Sequence, residues 1–88
     1  MKAQSLMSEL LDLAERLQIE VRCEFLRGRG AGLCTLHGRK ILFVDSDASL
    51  ADQIDQTAEA IASIGTLDDL YLRPQIRQLI DKYRKQSP

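Results

Sequence analysis

The alternation of apolar and polar residues from position 19 to position 25 is the strongest pattern in the chain. Odd positions there are apolar, and even positions carry Glu or Arg. Successive side chains of a strand point to opposite faces of a sheet, so this period of two predicts a β-strand with one buried face. The glycine-rich run at 27–32 then permits positive φ angles and predicts a wide turn.

Two more strands are predicted at residues 33–37 and 40–45. A two-residue hairpin turn joins them, either at Gly38-Arg39 or one residue earlier at His37-Gly38. Residues 41–44 are apolar at every position, which is typical of a strand that is covered on both faces.

The strand register is predicted as the one that collects apolar side chains on a single face of the sheet. We expect an antiparallel sheet with the turn at Gly38-Arg39, in which Val21 pairs with Leu36. In this register Cys23 lies opposite Cys34. The predicted buried face then consists of Ile19, Val21, Cys23, Phe25, Cys34, Leu36, Ile41 and Phe43.

This register leaves Leu33, Leu42 and Val44 on the second face of the sheet. Apolar side chains on that face need a cover, which the first helix, the third helix or another subunit would supply. These three residues are therefore the candidate interface for association through the sheet.

Three helices are predicted from apolar residues at three- and four-residue steps, at about 3–17, 50–64 and 74–84. Ser49 precedes the second helix and has Asp52 three residues later, a pattern that resembles a capping box. Pro74 suits the first turn of the third helix. The predicted fold is a single α+β domain over residues 1–88, with an N-terminal helix, a three-stranded antiparallel sheet and two further helices.

Composition sets limits on the class of protein. With no Trp, two Phe and two Tyr, the core must be aliphatic and thin, so oligomerisation is expected. No apolar run is long enough to span a bilayer, and acidic residues in the first helix argue against a signal peptide. We therefore expect a cytoplasmic protein with reduced cysteines and no membrane partner.

Charge is segregated along the chain although the net charge is only −1. Residues 20–44 hold five basic and two acidic residues, residues 45–70 hold seven acidic and no basic ones, and residues 71–88 hold five basic and one acidic. Such blocks are typical of solvated faces, or of surfaces that complement a second copy or another protein.

Residues of about 10–62 resemble the N-terminal half of the ImmA/IrrE-type metallopeptidases. The matching features are the entry at 17–21, the hairpin, the run at 41–45, and the short loop that leads into a helix. In that family the helix carries a His-Glu-x-x-His zinc motif, whose Glu is the general base.

The motif would fall on residues 58–62, where Glu59 matches the general base but Ala58 and Ala62 replace both histidines. The resemblance therefore implies a degenerate relative without zinc or peptidase activity, in which Glu59 is a remnant acid-base residue. The plainer interpretation, which we favour, is that the alanines allow close helix packing and that Glu59 is solvated.

Two further sets of residues suggest chemistry. Cys23 and Cys34 would be a redox pair or part of a soft-metal site, but on a buried face they behave as small hydrophobic residues, and we favour that role. Arg27 and Arg29 would bind phosphate or nucleic acid from the glycine-rich loop. That loop leads into a strand rather than a helix, and stacking aromatics are scarce, which both argue against it.

The acidic pairs Asp45 with Asp47 and Asp68 with Asp69 would hold a hard cation, but paired acids near a helix start are more often caps. No serine has an evident base partner. The sequence therefore favours a non-catalytic protein-interaction or self-association module, with no cofactor and no metal. The peptidase-like remnant and the phosphate-binding loop are the alternatives.

Overall fold

The computed structural model describes residues 2–25, 32–64 and 71–84. Its elements confirm the α+β class, the N-terminal helix, the three strands and the two following helices, and their bounds differ from the predicted ones by at most two residues. In chain order they are α1 (Ala3–Arg16), β1 (Ile19–Glu24), β2 (Gly32–Leu36), β3 (Arg39–Asp45), α2 (Leu50–Ala62) and α3 (Pro74–Arg84).

The sheet is mixed, so the prediction of a purely antiparallel sheet is wrong. The strand order is β1–β3–β2, which puts the last strand of the chain at the centre. β1 runs parallel to β3, with Val21 opposite Leu42, while β2 is antiparallel to β3. β1 and β2 are therefore the two edge strands of this sheet. The predicted register required them to pair with each other, and they do not.

The hairpin between β2 and β3 turns at His37-Gly38, the second of the two predicted positions. Both residues have positive φ, 52° and 77°, which is the combination that a two-residue type I′ turn requires. Leu36 consequently pairs with Arg39, and Cys34 pairs with Ile41. The predicted turn at Gly38-Arg39, and the register based on it, are therefore displaced by one residue.

The faces of the sheet are assigned wrongly for β2 and β3. Because Val21 lies opposite Leu42, the buried side of β1 continues into Leu33, Leu42 and Val44 rather than into Cys34 and Ile41. The hairpin residues predicted to be buried with β1 lie on the opposite face. We call that face the open face; its hairpin residues are Cys34, Leu36, Ile41 and Phe43.

Both helices that touch the sheet pack on the face of Leu42 and Val44. α1 lies against β1, and α2 lies against β3 and β2. α3 packs on α2 and on α1 and, among the described elements, contacts no strand. The cover that this face needs is thus supplied by α1, one of the predicted sources, together with α2. The core residues are Met7, Leu10, Leu13, Ala14, Ile19, Leu42, Val44, Ile54, Ala58, Ala60, Ile61, Ala62, Ile76 and Ile80.

Local signals explain where the helices begin and end. Gln18 has a φ of 61°, a left-handed conformation that ends α1 and directs the chain into β1. The Ser49 hydroxyl accepts a hydrogen bond from the Asp52 amide at 3.1 Å, so the predicted cap of α2 is present. Pro74 is the first residue of α3, as predicted. No helix in the described ranges is long and apolar enough to cross a lipid bilayer.

Two glutamines of α2 fix the loop that follows β3. The Gln53 side-chain amide donates to the carbonyl oxygens of Asp45 and Ala48 at 3.0 and 3.2 Å. The Asp45 amide donates to Gln56 Oε1 at 3.3 Å. α2 is therefore tied to the carboxyl end of the central strand by hydrogen bonds as well as by apolar packing.

Candidate functional site

The open face lies opposite the helices and combines apolar side chains of the hairpin with charged side chains of β1. Leu36 is 52% exposed, and Cys34 next to it on this face is exposed. Ile41, at the centre, is only 4% exposed; it is bordered by Glu20 and Cys34 across the strands and by Arg39 and Phe43 along its own. None of the described helices packs here. The accessible apolar part of the face is therefore on the β2 side.

The edge formed by β1 is charged. Glu20, Arg22 and Glu24 alternate along it and are all exposed. Arg22 Nε lies 2.7 Å from a Glu20 carboxylate oxygen, and each side chain is 47% exposed. Exposed pairs of this kind add little stability, but charges on an edge strand discourage pairing with another chain.

The edge formed by β2 has no such protection. Its five residues, Gly-Leu-Cys-Thr-Leu, include neither a charge nor a proline. Cys34, Thr35 and Leu36 are exposed, and Leu33 is partly buried against the core. An uncharged edge strand with accessible backbone groups is a template for pairing with another strand.

The hairpin geometry decides which backbone groups of β2 point outward. In a two-residue hairpin the residues that flank the turn, Leu36 and Arg39, form a hydrogen-bonded pair, and such pairs alternate along an antiparallel ladder. Gly32 and Cys34 then also bond to β3. The amide and carbonyl groups of Leu33 and Thr35 are left to point away from β3, toward the outer edge.

The two cysteines do not form the predicted pair. Cys23 is in β1 and Cys34 is in β2, so two interstrand spacings, roughly 9–10 Å, separate their strands. They also lie on opposite faces, because Cys23 pairs with Val44 and Cys34 pairs with Ile41. A disulfide needs Cα atoms within about 7 Å. Both thiols are free and exposed, contrary to the predicted burial.

The predicted interface residues belong to the core of the single chain. Leu42 and Val44 have no exposed surface, and Leu33 packs against the same cluster. A partner cannot reach Leu42 or Val44 while α1 and α2 cover them. This burial does not support the prediction that Leu33, Leu42 and Val44 form an interface, and the face that no described helix covers is the opposite one.

Glu59 is exposed on α2 and lines none of the three main clefts among the described residues. Ala58 and Ala62, which take the places of the zinc-binding histidines, are 0% and 9% exposed and belong to the core. Burial, then the Asp55 carboxylate, then Glu59 raise the pKa of Tyr83 to about 12. The charge of Glu59 on α2 therefore affects the Tyr83 hydroxyl of α3, and the Glu59 side chain borders none of these clefts.

A cleft of about 330 Å³ lies between α1 and the start of α3. Its walls include Asp12, Arg16 and the ion pair of Arg73 with Glu9, whose atoms are 3.0 Å apart. Opposite charges pair across this cleft, and it holds neither a cysteine nor a histidine. We assign it no chemistry.

Some of the remaining candidate residues lie inside the described ranges and others lie outside them. Within residues 2–25, 32–64 and 71–84, no three His, Cys, Asp or Glu side chains are grouped as metal ligands. Asp45 Oδ1 accepts the Asp47 amide at 3.0 Å, so Asp45 orders its own loop. Arg27 and Arg29, and likewise the acidic pair at 68–69, lie outside the described residues.

No family model matches this chain, and no curated protein or solved structure is significantly similar to it. The resemblance to the ImmA/IrrE-type metallopeptidases therefore stays a prediction. The uncharged edge of β2 is the feature that the sequence interpretation missed. Its signal was the lack of any charge at 32–36 beside the alternating charges at 20, 22 and 24.

Proposed function

We propose that this chain is a non-catalytic protein-interaction module that associates with further copies of itself through its sheet. The observation that carries the proposal is the position of Leu36, a large apolar side chain that is 52% exposed beside the exposed Cys34. Both lie on a face and an edge that no described element covers. Contact with a second copy removes this apolar surface from water, which favours association.

The small core supports the same proposal. None of the core residues is aromatic. Of the four aromatic residues, Phe25 and Tyr71 are 58% and 82% exposed, and Phe43 and Tyr83 are only partly buried. A chain of 88 residues buries a modest share of its surface on folding. Burial between copies therefore adds stability that one copy lacks.

The alternatives receive less support. A remnant peptidase site needs a cleft beside Glu59, and Glu59 lines none of three clefts described among the residues 2–25, 32–64 and 71–84. The loop that contains Arg27 and Arg29 lies outside the described residues, so phosphate binding there stays a prediction. The location that we propose is the cytoplasm, where thiols such as Cys23 and Cys34 stay reduced.

Sedimentation equilibrium at concentrations from micromolar to millimolar tests the proposal. We expect the apparent mass to rise with concentration, and Leu36→Asn to weaken the rise. Tyr71→Asn is the matched control, because it also removes an exposed large side chain but lies away from the sheet. A monomeric mass at every concentration would contradict self-association.

A further inference from the structure

We infer that two copies join by antiparallel pairing of their β2 strands about a two-fold axis at Cys34, so that the two sheets form one six-stranded sheet. This inference rests on the proposed self-association and specifies its partner, its surface and its register. The sheet of one copy has three strands with β2 at an edge. The occupant of that edge is thus β2 of a second copy.

The backbone of β2 suits this arrangement. A two-fold axis at Cys34 sets Leu33 of each copy opposite Thr35 of the other. These are the residues whose amide and carbonyl groups point outward, so each of the two pairs exchanges two hydrogen bonds. The groups that β3 leaves unused in the hairpin then become partners across the axis.

The side chains also fit this register. Leu36, the most exposed large hydrophobic residue of the described strands, lies opposite Gly32 of the second copy, where no side chain competes for space. Cys34 lies opposite Cys34, which is uncharged and small. It is the one antiparallel register that pairs all five residues of Gly32–Leu36.

The helices of both copies lie on the same side of a joined sheet. An axis perpendicular to the sheet keeps the helices of both copies on one side, since residues that face each other across strands share a face. The open faces then form one continuous face, on which Leu36 of each copy packs beside Gly32 and Cys34 of the other, so part of its apolar surface is removed from water. The contact is small and belongs to the weak class of interfaces that bury less than about 1,200 Å².

The charged edge is less suited to the same symmetric contact. A two-fold axis at Arg22, the centre of the charged residues of β1, would set Arg22 opposite Arg22 and Glu20 opposite Glu24. Like charges directly opposite each other destabilise a strand pair. An axis at Val21 or Cys23 would instead set a glutamate opposite Arg22, so repulsion depends on the register. Charged side chains on an edge strand nevertheless discourage pairing with another strand, which favours β2 as the site of association.

The absence of charge on β2 predicts how salt acts. If the acidic block at 45–70 bound a basic block of another copy, salt would weaken association by screening. Pairing through Gly32–Leu36 involves no ion pair, so association persists when the salt concentration is raised.

Disulfide trapping tests the register, with the two exposed cysteines as matched probes. Cys23→Ser retains only Cys34, and Cys34→Ser retains only Cys23. Diamide accepts the two protons and two electrons that two thiols release on forming a disulfide. We expect covalent dimer to form about tenfold or more faster through Cys34, because the axis holds two Cys34 thiols together. Equal rates for the two variants would overturn the inference.

Charge insertion separates the inference from the proposed function. Cys34→Lys sets two ammonium groups opposite each other, whereas Cys23→Lys puts the same group on the other edge. We expect sedimentation to show a monomer for Cys34→Lys and unchanged association for Cys23→Lys. Both variants should unfold cooperatively on heating, which shows that both are folded. If Cys34→Lys still associates, the β2 geometry is wrong although self-association stands.

Hydrogen exchange distinguishes strand pairing from stacking of the open faces. Strand pairing slows exchange of the Leu33 and Thr35 amides as the protein concentration rises. Stacking of open faces leaves those two amides in contact with water, so unchanged exchange at concentrations where the protein associates would overturn the inference.

Discussion

The strands β1 and β2 lie at opposite edges of one sheet, and they differ in support and in charge. β1 is held by α1, and its Ile19 is 4% exposed. β2 packs on the core through Leu33, which is only partly buried. Cys34, Thr35 and Leu36 of the same strand are exposed. The charges of the sheet edges are all on β1.

This difference shows how one small sheet treats its two edges unequally. The well-supported edge carries side chains that repel a further strand, and the weakly supported edge carries none. An additional strand at β2 would therefore add support where the single chain has least. The following predictions test that contrast, from the largest expected effect to the smallest.

Truncation of one apolar residue on each edge measures the difference in support. Ile19→Ala should lower the free energy of unfolding by about 2–5 kcal/mol, because it leaves a cavity in the core. Leu36→Ala should lower it by less than about 1 kcal/mol, since the side chain is half exposed. Urea unfolding at low protein concentration measures both. Equal losses would show that β2 is supported as firmly as β1.

The contact between α2 and α3 gives a reference that is independent of both edges. The pKa of Tyr83 is raised to about 12 in the folded chain and is about 10 in an unfolded one. Its contribution to stability is therefore complete below pH 10 and is lost as the pH rises from 10 to 12.

The loss is less than about 2.7 kcal/mol, because the side chain is partly exposed to solvent. Thermal unfolding of the natural chain and of Tyr83→Phe across this pH range measures it as a difference. The variant should lose less stability than the natural chain. Parallel curves would show that burial and the contact with Asp55 do not hold the hydroxyl in its neutral form.

The turn that sets the register of β2 offers a gain of stability. His37 has a φ of 52°, a conformation that asparagine adopts more readily. His37→Asn should raise the free energy of unfolding by about 0.5–1 kcal/mol. Gly38→Ala is the control and should lower it, because φ is 77° at that residue. A loss of stability in His37→Asn would contradict the turn geometry.

The protection of the β1 edge can be removed without touching the core. Changing Glu20, Arg22 and Glu24 together to threonine should alter folding by less than about 0.5 kcal/mol for each residue, since all three are exposed. In a Cys34→Ser background, disulfide trapping through Cys23 should become faster. No change in trapping would mean that charge is not what closes this edge.

Much of the fold is predictable from local patterns, because helices and strands follow from side-chain periods that a short segment carries by itself. The neighbour of β1 is not predictable in this way. Its alternation fixes which residues share a face but allows either an antiparallel β2 or a parallel β3 beside it. Because β2 was predicted beside β1, the buried and exposed faces of the hairpin were exchanged. The grouping of Cys34 with Ile41 on one face was right.

The same step decides the candidate site. With β1 beside β2, both cysteines are buried and the β2 edge does not exist. With β3 between them, the cysteines are exposed on separate edge strands, and the outer edge of β2 pairs with no described strand. A single long-range pairing therefore determined the location of the site, and no local pattern in the sequence contains it.

The central position of β3 has a consequence for the order in which the chain assembles. β3 is the last strand to be synthesised, yet both earlier strands depend on it for their hydrogen bonds. Until about residue 45 has left the ribosome, α1 and β1 have no sheet to join. Sheet formation therefore waits for β3, so truncation before Arg39 should leave no partly formed sheet to accumulate.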